Sequence, residues 1–243
     1  MARKPRVRSK RRRRGSIIGW LWLSFAFVVL ATIVYSGWLW FDMRSWKPDR
    51  AAFPEQGAVI ASGSSAVRFE TLKAQGADFV YLELARADGP PDPGFRARFS
   101  AARKAGLKVG IVQHFDPCLR ADPQSARFTQ MVPRDSDLLP PAIALVQLPT
   151  TCNPPVSEAA VTSEVLTLVN QLETQAQKPV IMKLARAFET KYRVAIMIER
   201  DLWLLRDRAQ PRYAPRPWLL WSANAQLRSE ALAQPIEWVV VQN

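Results

Sequence analysis

From Ile17 to Phe41 the chain carries no charged residue. As a helix rising about 1.5 Å per residue, such a run reaches roughly 37 Å, enough to cross a hydrocarbon core of about 30 Å with some tilt. Trp20, Trp22, Tyr35, Trp38 and Trp40 cluster towards its two ends, where interfacial aromatics sit. The bulky end Trp38-Leu39-Trp40-Phe41 lacks the small residues of a signal-peptide cleavage site, so the pattern predicts an uncleaved transmembrane anchor.

Beyond a proline-containing stretch from Trp46 to Pro54 the pattern changes to short apolar runs separated by helix-like segments. Ala58 to Ala61, Phe79 to Leu84, Leu107 to Val112, Ile143 to Leu148, Val180 to Leu184, Leu202 to Leu205, Trp218 to Trp221 and Trp238 to Val241 read as strands. Ala66 to Gln75, Gly94 to Ala105 and Ser157 to Ala176 carry helical spacing, with Gly76 and Gly106 placed as C-terminal stops. The third opens on Ser157 as N-cap, and its apolar stripe is Val161, Val165, Leu168, Val169 and Leu172. Strands that alternate with helices and read as continuous apolar runs predict parallel pairing in a barrel or a doubly wound sheet, and eight of them favour the barrel.

The net charge of +13 suggests nucleic acid until its distribution is read. Nine of the 34 basic residues (Arg3, Lys4, Arg6, Arg8, Lys10, Arg11, Arg12, Arg13, Arg14) precede the apolar run, leaving 25 against 21 acids in the remainder. A basic tail beside a membrane span is a topology signal and an anionic-lipid contact, so a nucleic-acid partner is not expected. The tail is placed in the cytoplasm and everything after Phe41 outside it. Cys118 and Cys152 then lie in an oxidising compartment, where pairing is favoured and would add on the order of 3 to 4 kcal/mol by loop closure. A metal site is the rival reading, but it needs more ligands than two distant cysteines and the lone His114. No phosphate loop or Cys-x-x-Cys pair occurs, so neither a metal nor a cofactor is expected.

In register over almost all of Phe53 to Val241, the chain resembles glycoside hydrolase family 25, the N-acetylmuramidase lysozymes that cut peptidoglycan. The likeness runs through Phe53-Pro54-Glu55-Gln56-Gly57, Phe79-Val80-Tyr81-Leu82, Asp92-Pro93-Gly94-Phe95 and Ala105-Gly106-Leu107-Lys108-Val109-Gly110. It continues in Val132-Pro133-Arg134-Asp135, Leu139-Pro140-Pro141-Ala142, Lys178-Pro179-Val180-Ile181, Leu202-Trp203-Leu204 and Trp218-Leu219-Leu220-Trp221. It implies an α/β, lysozyme-like (β/α) barrel of irregular TIM type behind the transmembrane helix, and some family members also carry a cysteine pair like Cys118 and Cys152.

The departures fall where the chemistry would be. The Asp-x-Glu pair of the family's fourth strand meets Ala144 and Val146, and the Asp of its opening Gly-x-Asp-x-Ser motif meets Val59. The Lys-Ala-Thr-Glu-Gly motif becomes Glu83-Leu84-Ala85-Arg86-Ala87, a tyrosine becomes Val112, and Trp-Gln-Tyr becomes Trp221-Ser222-Ala223. A late acid survives in kind as Glu237. Glycoside cleavage ordinarily needs two placed carboxylates, which alkyl side chains cannot replace.

Glu83 and Glu237 are the remaining candidate acids. Glu83, a carboxylate in an apolar run, is read as a general acid raised by desolvation, as a salt-bridge partner of a residue such as Arg86, or as a group simply exposed at a strand end. Glu237 either faces Glu83 across the barrel mouth or caps the last strand. His114 is a base or a loop or core residue. Trp203, Tyr213, Trp218 and Trp221 are candidates for stacking on sugar rings, with core packing as the alternative. Asp88, Asp92 and Asp116 read as loop acids.

The expected organisation is a basic cytoplasmic tail (1–16), a transmembrane helix (17–41), a juxtamembrane linker (42–52) and the barrel (53–243). The expected function is a single-pass bacterial inner-membrane protein. Its periplasmic barrel binds peptidoglycan or an envelope protein without cleaving glycan, and its anchor contacts inner-membrane lipids. The alternative is an active cell-wall glycosidase with a rearranged acid set.

Overall fold

The computed structural model describes residues 14–85 and 89–242. The tail residues Arg3 to Arg13, together with Arg86 and Asp88, lie outside the described residues. The chain divides into two compact units, Met1–Met43 and Arg44–Asn243.

The first unit is dominated by helix α1 (Arg14–Ser45). Its aromatic and aliphatic side chains from Trp20 to Phe41 are exposed around the whole circumference, so it presents no polar face to water. Gly19–Ser45 contains an 18-residue window with a mean hydropathy of 1.8 and is long and apolar enough to cross a membrane. The helix runs beyond Phe41 through Asp42 and Arg44, so the first residues of the expected linker are helical.

The second unit is a closed eight-stranded barrel. Its elements are β1 (Gln56–Ile60), α2 (Phe69–Ala74), β2 (Phe79–Glu83), α3 (Phe95–Lys104), β3 (Lys108–His114), α4 (Ala121–Met131), β4 (Ala142–Leu145), α5 (Glu158–Ala176), β5 (Ile181–Leu184), α6 (Arg186–Tyr192), α7 (Val194–Met197), β6 (Asp201–Leu205), β7 (Leu220–Ser229) and β8 (Leu232–Val241). All eight expected strands are present. Strands β1 to β7 pair in parallel, but β8 runs antiparallel to both β7 and β1, which corrects the all-parallel expectation. The cause is local: Ser229 pairs with Leu232, so β7 and β8 are joined by a tight hairpin with no room for a crossover helix.

Helix α5 forms as its pattern dictates. The Ser157 side chain accepts the Ala160 N–H, and Val161, Val165, Leu168, Val169 and Leu172 are buried, each contributing about 1.5–3 kcal/mol. Helix α4 was not expected, because Pro123 interrupts its pattern; the ring is tolerated within the first turn, where no intrahelical N–H bond is lost.

Two apolar layers hold the barrel together. One lies between strands and helices. The other fills the interior with Val59, Phe79, Tyr81, Val112, Ala142, Ala144, Ile181, Trp203, Leu220 and Val239. A Cβ at Gly57 would overlap the Phe79 ring and one at Gly110 the Tyr81 ring, so these glycines let two aromatics plug the centre. The segment entering the barrel is pinned to it. Gln56 Nε2 donates to the carbonyls of Pro48 and Phe53, and Asn224 Nδ2 donates to that of Trp46.

Candidate functional site

Side chains alternate along a strand, so the inward positions one step above the apolar interior meet at the C-terminal mouth, where barrels of this type carry their chemistry. Those positions bring together Glu83 at the end of β2, His114 at the end of β3, Lys183 on β5, Ser222 on β7 and Glu237 on β8. Register agrees: His114 and Lys183 both flank Ala144, and Glu237 lies opposite Val59.

Lys183 is the hub. Its side chain is 3% exposed, its Nζ lies 2.8 Å from Glu237 Oε2 and 3.8 Å from Glu83 Oε1, and it sits 4.7 Å from the centre of the Trp203 ring. His114 Nε2 is 3.3 Å from Glu83 Oε1. On the far side, the Trp203 indole N–H donates to Ser222 Oγ at 2.7 Å, and the Ser222 hydroxyl donates to Glu237 Oε1. An ammonium removed from water is tolerable only where carboxylates and ring faces replace its hydration, which is the surrounding found here.

Burial alone would push the Glu83 carboxyl up, as expected for a general acid. Its hydrogen bond and charge interaction with His114 and the charge of Lys183 outweigh burial, so the group sits below the ordinary carboxylate range. The direction is opposite to the rise that the general-acid reading of Glu83 asks for. Its salt-bridge reading stands with other partners, His114 and Lys183, since Arg86 lies outside the described residues. Glu237 has one oxygen held by Lys183 and the other by Ser222, so it closes the network instead of merely capping β8. His114 is a mouth residue bound to Glu83.

The positions at which the resemblance expects acids are apolar and differently placed. Ala144 is fully buried and Val59 nearly so, both within the barrel interior. Val146, just beyond β4, is 38% exposed.

The sugar-stacking reading of three tryptophans is corrected. Trp203 lies wholly inside the barrel and Trp218 and Trp221 are buried, because Phe53 packs on both and Trp46 on Trp221. They fasten the segment entering the barrel. Tyr213 is partly buried and tied by its hydroxyl, which accepts the Leu205 N–H and donates to the Leu184 carbonyl. Among the loop acids, Asp92 pairs with Arg98 and accepts the N–H groups of Gly63 and Gly94, while Asp116 accepts the Cys118 N–H. Cys118 and Cys152 are disulfide-bonded, joining the loops that follow β3 and β4.

Sequence reading missed Lys183 and the role of Ser222. The signal was present: Lys183 stands two residues after Ile181 in an apolar strand, and a period of two places both on the inner face.

The family model for glycosyl hydrolases family 25 matches residues 60–226, so the chain belongs to that family. Among solved structures it is similar to a family 25 glycosyl hydrolase from Bacillus anthracis (20% identity, TM-score 0.72, covering 82% of this chain and 93% of that one). It is also similar to the bacterial lysozyme from Streptomyces coelicolor (15% identity, TM-score 0.66, 78% and 92%) and to a muramidase from Trichobolus zukalii (18% identity, TM-score 0.63, 78% and 94%). A search of curated proteins finds no match.

Proposed function

We propose that this family 25 barrel faces the cell wall from a membrane anchor and holds peptidoglycan or an envelope partner without hydrolysing glycan. The observation that carries the reading is the position of Lys183 between Glu83 and Glu237. Glycosidase chemistry asks one carboxyl to deliver a proton and another to attack or to activate water. Here both surviving mouth carboxylates face the same ammonium group, the Glu83 carboxyl is held below the ordinary carboxylate range, and the positions matched to the family's acids are Val59, Ala144 and Val146. An active site with a rearranged acid set would first have to free one of these carboxylates from Lys183.

The wall-facing orientation rests on the apolar Gly19–Ser45 helix and on the basic residues that precede it. It places the N-terminus in the cytoplasm, the barrel in the periplasm, and the tail on anionic inner-membrane lipid. A periplasm-dependent reporter fused after Asn243 should be active, and activity of a cytoplasm-dependent reporter there would contradict the topology. For binding, the full chain in detergent should co-sediment with purified sacculi and leave their glycan intact. Failure to sediment, with capture of an envelope protein instead, would turn the reading to protein docking. Glycan cleavage would overturn it.

A further inference from the structure

The arginines between β5 and β7 fall into two groups. Some are spent on structure: Arg200 forms an ion pair with Glu173 at 2.6 Å, and Arg216 donates to the carbonyls of Ala195, Ile198 and Arg200. Three others, Arg186, Arg206 and Arg212, converge with Leu205 and Tyr213 on a cavity of about 290 Å³ beyond the ends of β5 and β6. All three are exposed, and no acid shares the lining. Arg186 and Arg212 form no ion pair among the described residues, and Arg206 donates one bond, to the Gln210 carbonyl. The nearest acids in the chain are engaged elsewhere, Asp207 by the Ala225 N–H and Glu189 by the Ala195 N–H.

Tyr213 makes this a built cavity and not a fringe of mobile side chains. Its hydroxyl bonds the Leu184 carbonyl at 2.5 Å and the Leu205 N–H at 2.8 Å, tying the wall to the strand ends. Three guanidinium groups around one cavity repel one another, and a multiply charged oxyanion removes that cost while its oxygens match the planar donor fork of arginine. The volume is at the small end of ligand pockets and suits a phosphoryl group better than a folded partner.

We infer that Arg186, Arg206 and Arg212 form a binding site for a phosphate ester or diphosphate on the C-terminal face of the barrel. The inference does not depend on whether the barrel retains peptidoglycan, since its ligand is read from the charge and lining of this cavity alone. The test is calorimetric titration of the full chain in detergent micelles with inorganic pyrophosphate. One saturable site is expected, weakened at least tenfold in an Arg186→Gln/Arg212→Gln variant. The site should be unchanged in Arg96→Gln/Arg134→Gln, which removes two arginines from a separate cavity. Absence of saturable binding, equal weakening in both variants, or an equal affinity for acetate would overturn the site. Glycerol 3-phosphate and a short-chain phosphatidylglycerol then separate a soluble phosphorylated glycan from a lipid headgroup as the source. Competition by either supports the site, and failure of both to compete contradicts it.

Discussion

Lys183 and Glu237, on strands β5 and β8, meet across the barrel mouth with Nζ and Oε2 2.8 Å apart, and Glu83 shares the same ammonium group from β2. Both mouth carboxylates thus face one buried lysine, the arrangement on which the proposed binding role rests.

Replacing Lys183 by Met should therefore destabilise strongly. It leaves two nearly buried carboxylates without their partner, and breaking a buried pair from one side costs about 3–5 kcal/mol. Chemical denaturation at pH 7 checks this. The penalty should shrink as pH falls and the carboxylates neutralise, so a loss that is small and independent of pH would argue against the network.

The depressed Glu83 carboxyl fixes a pH trend. Around and below the ordinary glutamate value of 4.5 the unfolded chain takes up this proton before the folded chain does. Its stabilisation is present above that value and is lost as pH falls through the lower folded value. Glu83→Gln should flatten the corresponding part of the stability-versus-pH curve, and an unchanged slope would show that His114 and Lys183 do not hold the group ionised.

Cys118 and Cys152 close a loop spanning a sequence separation of 34 residues. In the chain-entropy model this contributes about 4 kcal/mol, so a Cys118→Ser/Cys152→Ser variant should unfold at markedly lower denaturant. Denatured, non-reduced protein should show no free thiol.

Restoring acids one at a time should separate the three positions. Val146→Glu acts at a partly exposed position and should change stability by less than about 0.5 kcal/mol. Ala144→Asp adds both bulk and a carboxylate to a fully buried position in the filled interior and should cost at least about 2 kcal/mol. Val59→Asp brings a buried carboxylate opposite Glu237 and should cost at least about 2 kcal/mol. Equal tolerance of all three would mean the mouth is more open than the packing of Val59 and Ala144 describes.

The barrel was legible because its strands are continuous apolar runs and its helices end on Gly76 and Gly106, whose φ values of 96° and 74° suit glycine. The reversal of β8 was not, since period and composition do not encode strand direction. The site was half legible. Glu83 and Glu237 stand out as acids in apolar runs, but their ionisation state depends on Lys183, which lies 100 residues from one and 54 from the other. The tryptophans misled because aromatic composition does not distinguish a sugar platform from a ring that fastens one segment to another, as Trp218 and Trp221 fasten Phe53.

The measurement that bears most directly on the central claim is release of reducing ends from purified peptidoglycan by the full chain, followed between pH 4 and 8 beside an active family 25 muramidase. The network around Lys183 predicts no release above buffer at any pH, in the wild-type chain and in Glu83→Gln and Glu237→Gln alike. Release by the wild-type chain that either substitution abolishes would contradict it, and would mean that a carboxylate at the mouth still works as an acid.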